Sequence, residues 1–219
     1  MNRIIWLFRE SRSGSTWLTS HLIKTLNKKS LFLDDGLDNS MSLHKKIDLL
    51  KHREQQDSDY DYILHTHIHE LTSILPKYNN PIVLRCSRKN KFEQFLSWCS
   101  IKYSHYSFFN LHKNQSIEQN ELYEQFISKK ITITKADYLG WHRYEVDRVN
   151  RCWELAKPFE NQIIYYEDMI DGTASIPSLN LHNIKMNDDN LILRLPESYK
   201  KEMILNYNEV KEWFSNAQH

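Results

Sequence analysis

Short apolar runs alternate with stretches of helical periodicity along much of the chain. Four of these runs are compact enough for buried strands, and they lie at 4–8, 60–65, 81–86 and 162–166. Apolar positions three and four residues apart begin at Thr16, after the first run, and at Phe92, after the third. Strands that alternate with helices predict an α/β fold, with a central parallel sheet between two helical layers.

Other periodic segments predict four more helices, at about 40–50, 118–128, 136–157 and 196–214. The segment 170–195 is rich in turn-forming residues and predicts loops. No internal repeat and no low-complexity linker interrupts this pattern. We therefore interpret residues 1–219 as a single domain.

Composition and charge exclude several classes of protein. Hydrophobic residues make up 40% of the chain and charged residues 26%, which allows a real core and argues against wholesale disorder. The 29 Lys and Arg residues nearly cancel the 28 Asp and Glu residues, so a general nucleic-acid binder is not expected. No run approaches the ~18 apolar residues of a membrane span, and we recognise no signal peptide, so no membrane association is expected.

The cysteines and glycines narrow the chemistry. Cys86, Cys99 and Cys152 are widely spaced and show no CxxC or paired Cys/His pattern, so we expect a reducing compartment and no metal site. A cytoplasmic protein is the expectation that follows. Only four glycines occur, and they cannot form the GxGxxG fingerprint or the GxxxxGK[ST] loop. A dinucleotide-dependent enzyme and a standard ATPase are therefore disfavoured.

The loop between the first strand and the first helix has the composition of an anion site. Backbone N–H groups in such a loop converge at the positive end of a helix dipole. Ser13, Ser15 and Thr16 add hydroxyl donors, Gly14 permits close backbone approach, and Arg12 adds a positive charge. The Lys-[Ser/Thr] pair that binds nucleotide phosphates and Mg²⁺ is missing here, so we expect a phosphate bound without an obligatory metal. A serine-rich turn that caps a helix is the alternative.

The same loop carries a family resemblance. The 5′-phosphosulfate loop of the sulfotransferases that use 3′-phosphoadenosine 5′-phosphosulfate (PAPS) is similar to Ser11-Arg12-Ser13-Gly14-Ser15-Thr16-Trp17-Leu18, with Ser11 where that family usually has proline. Three further segments resemble the family in its own order, and they are His65-Thr66-His67, residues 85–98, and Tyr166-Glu167-Asp168-Met169. The segment 85–98 is most similar to bacterial, carbohydrate-type members. Each segment lies at the end of a predicted strand, where open α/β sheets bind ligands.

This resemblance implies a P-loop-like sulfotransferase fold that transfers a sulfuryl group from PAPS to a hydroxyl acceptor, a carbohydrate or another small molecule, without a metal. The cofactor-binding residues that it implies are Arg12, Ser13, Gly14, Ser15, Thr16, Trp17, Arg88, Ser97 and Tyr166. The loop binds the 5′-phosphate, Arg88 and Ser97 bind the 3′-phosphate, and the two aromatic residues contact the nucleobase. Arg85 remains an alternative to Arg88.

The catalytic residues implied by the resemblance are Arg12, His65, His67 and Asp35. Arg12 stabilises the leaving phosphate. His67 matches the base of the family's Lys-Thr-His segment, and His65 replaces its lysine; the two lie on one side of an extended segment. Carbohydrate-type members use a carboxylate after the first helix instead, which makes Asp34 or Asp35 the alternative base. An ordinary Asp-Asp-Gly turn is the structural interpretation of that pair.

The acceptor stays open. The family's C-terminal glycine-rich loop for the 3′-phosphate is missing, because no glycine follows Gly172. The chain is short for the family, so the acceptor pocket is either minimal or completed by the second subunit of a homodimer. Aromatic residues of 103–112, with Trp141, form either an acceptor wall or core. The competing functions are an ATP-dependent small phosphotransferase and a non-catalytic nucleotide-binding module.

Overall fold

The part of the chain that the structure describes contains a five-stranded, fully parallel sheet. A computed structural model describes residues 4–27, 29–32, 62–66, 76, 80–104, 130–186 and 197–215. The strands are β1 (Ile5–Arg9), β2 (Lys29–Phe32), β3 (Tyr62–Thr66), β4 (Ile82–Ser87) and β5 (Glu160–Tyr165), in the order β2-β3-β1-β4-β5. In register, Phe8 of β1 lies between Thr66 of β3 and Arg85 of β4. The predicted α/β class and central parallel sheet are confirmed.

Helices follow the strands as the periodicity predicts, with differences in detail. The α-helices are α1 (Ser15–Leu26), α2 (Lys91–Ser104), α3 (Lys135–Trp141), α4 (Arg148–Glu154), α5 (Tyr166–Asp171), α6 (Glu197–Met203) and α7 (Tyr207–Ser215). A π-helical segment, His142–Asp147, separates α3 from α4. The prediction of one continuous α-helix over 136–157 is therefore wrong, because the π-helical segment interrupts it. The predicted helices at 40–50 and 118–128 lie outside the described residues.

Two predictions for the C-terminal part need correction. The predicted turn region contains an antiparallel hairpin of β6 (Ala174–Ile176) and β7 (Leu181–Ile184), joined by a short 3₁₀ turn. The single helix predicted from 196 is divided at Ile204, where the backbone pairs with Ile131: the Ile131 amide donates to Met203 and its carbonyl accepts from Leu205. A backbone that pairs with a distant segment cannot continue the helical hydrogen bonds.

Packing divides the chain into two compact units. The first comprises 1–89 and 145–186, and the second comprises 90–144 and 187–219. The first unit is built on the buried strands β1 and β4, with α1 packed on the sheet. The second has an aromatic core, in which Trp141 lies 5.3 Å from Phe95 and 5.9 Å from Phe214 between ring centres. Trp141 is 1% exposed, so it belongs to that core. None of the helices in the described ranges has the length and apolar character that a membrane crossing requires.

Candidate anion site at the carboxyl ends of the strands

The strand order of the sheet identifies where a ligand is expected. From β1, the chain builds β2 and β3 on one side and then returns to build β4 and β5 on the other. The carboxyl ends of β1 and β4 are therefore neighbours at the point where the strand order reverses. Open α/β sheets bind their ligands in the crevice at such a point. The segments that follow these two strands are the loop 10–14, here called the phosphate loop, and the turn 88–90.

The phosphate loop leads into α1 through two residues in the left-handed region. Arg12 has a φ of 65° and Gly14, the N-cap of α1, has a φ of 77°. No side chain caps this end of the helix in the described structure. The first amides of a helix have no carbonyl acceptor within it, and they carry the positive end of the dipole. The start of α1 therefore offers N–H donors to an anion.

Gly14 lies directly against Tyr166, the first residue of α5. A Cβ atom placed on Gly14 would be 2.7 Å from Cδ2 of the Tyr166 ring and 3.3 Å from Cε of Met169. Since its φ is also positive, Gly14 is required by both conformation and space. This contact joins the phosphate loop to the end of β5, although Gly14 and Tyr166 are 152 positions apart in the sequence.

Arg88 lies on the ring of Tyr166, and its charge reaches Arg12 in the phosphate loop. The guanidinium carbon of Arg88 lies 4.3 Å from the centre of the Tyr166 ring, and Arg88 is 5% exposed. Burial, followed by the charge of Arg88, lowers the pKa of the Arg12 guanidinium to about 10, while Tyr166 acts in the opposite direction. Arg12 therefore remains protonated at neutral pH. The buried Arg88 and the half-buried Arg12 repel each other, and an anion bound beside them would relieve that repulsion.

A buried ion pair joins the first residue of the phosphate loop to β4. Oε1 of Glu10, which is fully buried, accepts hydrogen bonds from Nε of Arg85 and from the hydroxyl of Ser87, both at 2.8 Å. Nη2 of Arg85 lies 2.7 Å from the same oxygen and donates to Oδ1 of Asn150 at 2.8 Å. The guanidinium of Arg85 is thus occupied by protein groups. Of the two arginines that the sequence offers for a phosphate, Arg88 is the one beside Tyr166.

Ser13 belongs to the framework of the loop. Its hydroxyl donates to the carbonyl of Glu10 at 2.7 Å, and its own carbonyl accepts from the Cys86 thiol at 3.1 Å. Burial raises the pKa of Cys86 to about 12, so the thiol remains a protonated donor. The Ser13 hydroxyl, which the sequence predicts as a donor to a ligand, therefore donates to the backbone of the loop instead. Its neighbours along α1 differ in exposure, since Ser15 is buried and Thr16 is exposed.

Trp17 is placed in α1 with little exposed surface. Its ring stacks on that of His21, with ring centres 4.9 Å apart and planes 12° apart. Burial lowers the pKa of His21, which favours the neutral imidazole in this stack. Packing on His21 within α1 therefore accounts for much of the burial of the Trp17 side chain.

The entrance of the phosphate loop is bound to the π-helical segment. The Ser11 amide donates to Oε2 of Glu145 at 3.0 Å, and the Ser11 hydroxyl donates to Oε1 at 2.8 Å. The carboxylate of Glu145 thus receives two hydrogen bonds from one residue. Sequence reasoning missed Glu145, because nothing local to 142–147 indicates a partner at position 11.

The turn after β4 is held by the acidic start of α5. The Lys89 amide donates to Oε2 of Glu167 at 2.9 Å, and the Lys89 ammonium pairs with Asp168. Oε1 of Glu167 also lies 4.0 Å from Nε of Arg88. The Tyr-Glu-Asp segment therefore fixes the turn that carries Arg88, through its two acids and through the tyrosine ring.

The second unit contains Ser97, which is half-buried in α2. One helical turn earlier, Glu93 forms an ion pair with Lys200, a lysine buried in this unit. Tyr103, from the predicted acceptor wall, donates a hydrogen bond from its hydroxyl to Asp137; burial, followed by this hydrogen bond, raises the pKa of the tyrosine. Asp137 completes a capping box with Thr134 at the start of α3. Tyr103 thus serves the structure of this unit.

Most of the residues predicted to act in proton transfer lie outside the described ranges. His67, Asp34 and Asp35 fall outside the described residues, whereas His65 lies in β3 and pairs in register with Leu7 of β1. Within the described ranges, no three His, Cys, Asp or Glu side chains assemble as ligands for a metal ion. Protein-family models give no match to the chain, and no curated protein sequence matches it.

Proposed function

We propose that this protein is a PAPS-dependent sulfotransferase. The observation that carries the proposal is the buried cation Arg88 on the ring of Tyr166, because that ring also lies against Gly14 at the uncapped start of α1, two residues after Arg12. A nucleotide that bears phosphates on both sides of its ribose needs two cationic groups close to an aromatic ring. The four segments that resemble sulfotransferases supply the identity of the nucleotide, since three of them include or adjoin these residues.

The fold supports this proposal. The first strand is central, the loop after it leads directly into a helix, and β4 lies beside it at the reversal of strand order. We infer a three-layer α/β/α arrangement of the P-loop-like sulfotransferase type. In this arrangement the loop amides and Arg12 bind the 5′-phosphosulfate, and Arg88 binds the second phosphate. The nucleobase lies near Tyr166.

The proposed reaction is an in-line transfer. An acceptor hydroxyl oxygen attacks the sulfur, the bond between sulfur and the phosphate oxygen breaks, and the hydroxyl proton passes to a base. The products are a sulfate ester and adenosine 3′,5′-bisphosphate (PAP). Arg12 stabilises the negative charge that develops on the leaving phosphate. His67 is the proposed base, with Asp35 as the alternative and His65 assisting the leaving group.

Binding of PAP is the decisive experiment. Isothermal titration should show PAP binding without a metal, and weaker binding by about tenfold or more in Arg12→Ala and in Arg88→Ala, because each loses charge-assisted hydrogen bonds. Arg151→Ala is the matched control, since Arg151 is an exposed arginine of α4 in the same unit. Binding of ATP with Mg²⁺ but not of PAP would instead identify a phosphotransferase.

Transfer is measured separately, with PAPS and a panel of sugar and phenol acceptors. We expect release of PAP that depends on the acceptor and that is lost in His67→Ala, while PAP still binds. Retained transfer in His67→Ala and loss in Asp35→Asn would move the base to the aspartate. PAP binding without transfer to any acceptor would favour the non-catalytic nucleotide-binding module.

A further inference from the structure

The carboxylate of Glu145 makes an unusual pair of contacts for a group beside a proposed phosphate site. Both of its oxygens accept hydrogen bonds from Ser11, one from the amide and one from the hydroxyl. Ser11 immediately precedes Arg12, the cation of the phosphate loop. The sequence at this point departs from the sulfotransferase pattern, which usually has proline. Proline would stiffen the loop through its own ring, whereas Ser11 is held by hydrogen bonds to Glu145.

We propose that Glu145 is a positioning residue that fixes the entrance of the phosphate loop and thereby the direction of Arg12. The proposal rests on the proposed function only in taking the loop as the site of a phosphate. On its other side, the loop is fixed by the hydroxyl of Ser13 on the Glu10 carbonyl and by the start of α1. With the contact of Glu145 with Ser11, the residues on both sides of Arg12 are held by hydrogen bonds. A loop held in this way lowers the entropy lost when an anion binds.

The placement of Glu145 in a π-helical segment fits this role. The segment His142–Asp147 interrupts an otherwise α-helical stretch between α3 and α4. Such interruptions are less stable than a continuous α-helix and often occur at functional sites. Here the interrupted segment carries the carboxylate that contacts the loop.

Charge and position predict opposite effects for removal of Glu145. A negative charge close to an anion site repels the anion, so electrostatics alone predicts that Glu145→Ala binds PAP more tightly. If Glu145 positions the loop, Glu145→Ala loses both hydrogen bonds and binds PAP more weakly, by about tenfold. Glu145→Gln keeps one carbonyl acceptor and lacks the charge, so its affinity should exceed that of Glu145→Ala.

The test measures the dissociation constant of PAP by isothermal titration in these variants, with thermal melting to verify folding. Glu154→Ala is the matched control, because Glu154 is an exposed glutamate of α4 that pairs with its neighbour Lys157. Glu145→Ala is then repeated in a Ser11→Ala background. The effect of Glu145→Ala on affinity should be smaller there, since one of its two contacts is already lost. A gain in affinity, or equal effects in both backgrounds, would overturn the proposal.

Hydrogen exchange separates this inference from the proposed function. Amides of residues 11–15 should exchange faster in Glu145→Ala than in the wild type or Glu154→Ala, with no ligand present. If the wild type fails to bind PAP, the proposed function fails, but faster exchange at these amides still supports the positioning role. If exchange is unchanged, the positioning role is wrong, whatever the wild type binds.

Discussion

Gly14 and Tyr166 are in such close contact that the loop has no space for any side chain at position 14. Gly14→Ala would place a methyl group 2.7 Å from the tyrosine ring, at a φ of 77°. We expect it to lower the free energy of unfolding by about 2–5 kcal/mol, the sum of a left-handed alanine and an overpacked contact. Thermal and denaturant unfolding measure this change.

Gly140→Ala is the control for that substitution. Gly140 lies within α3, and a Cβ atom placed there meets nothing within 4 Å. Alanine has the higher helix propensity, so this variant should be more stable by up to about 1 kcal/mol. Equal losses of stability in both variants would contradict the role assigned to the contact of Gly14 with Tyr166.

The buried pair of Glu10 and Arg85 predicts a non-additive result. Glu10→Gln or Arg85→Met alone leaves one buried charge uncompensated, which costs about 3–5 kcal/mol of unfolding free energy. The double variant removes both charges, so we expect it to be more stable than either single variant. Urea denaturation of the four proteins gives the coupling. A double variant as unstable as the sum of the singles would show that the pair does not act as a unit.

Ser11→Pro tests whether the proline of the sulfotransferase pattern can replace the hydrogen bonds that Ser11 makes with Glu145. Proline matches the sulfotransferase pattern, but it removes both the amide and the hydroxyl that donate to Glu145. We expect a loss of about 1–3 kcal/mol in unfolding free energy and weaker PAP binding. Ser11→Ala keeps the amide and should lose less. A proline variant as stable as the wild type would indicate that loop stiffness alone is needed.

Affinity for PAP should depend on the protonation of Arg12. Its pKa of about 10 lies below the ordinary 12.5, so the cost of keeping it charged in the folded state is present below pH 10 and declines as the pH rises from 10 towards 12.5. In the proposed function, the charged form binds the phosphate. We therefore expect constant affinity between pH 7.5 and 9 in titrations of PAP and a decline above pH 10. In Arg12→Ala this decline should be lost; a wild-type decline already complete at pH 8 would point to another group.

The sequence predicts the sheet well because its signals are local. The apolar runs at 81–86 and 162–166 lie within two residues of β4 and β5, and α1 begins one residue before the predicted Thr16. The strand Lys29–Phe32 was not expected, since its mixed sequence resembles a loop and the sheet supplies its partner. Pairing with Ile131 likewise decides where the C-terminal helix is interrupted.

The site divides in the same way. Arg12, Gly14, Arg88 and Tyr166 were predicted, because each belongs to a short segment with a recognisable pattern. Glu10, Arg85 and Glu145 act through partners 75 to 134 positions away, and no short pattern encodes such partners. The internal use of the Ser13 hydroxyl could not be predicted either, since a serine in a loop donates equally well to a ligand or to the backbone.

The backbone of Arg12 has a consequence for selection. Five residues other than glycine have a positive φ among those described; four are asparagines, the residue that tolerates this conformation best, and the fifth is Arg12. A search for thermostable variants would therefore favour Gly or Asn at position 12, which would relax the backbone and remove a half-buried charge. Such variants should gain stability, and under the proposed function they should bind PAP more weakly. Under the proposed function, the backbone strain at Arg12 is a stability cost of binding the phosphate.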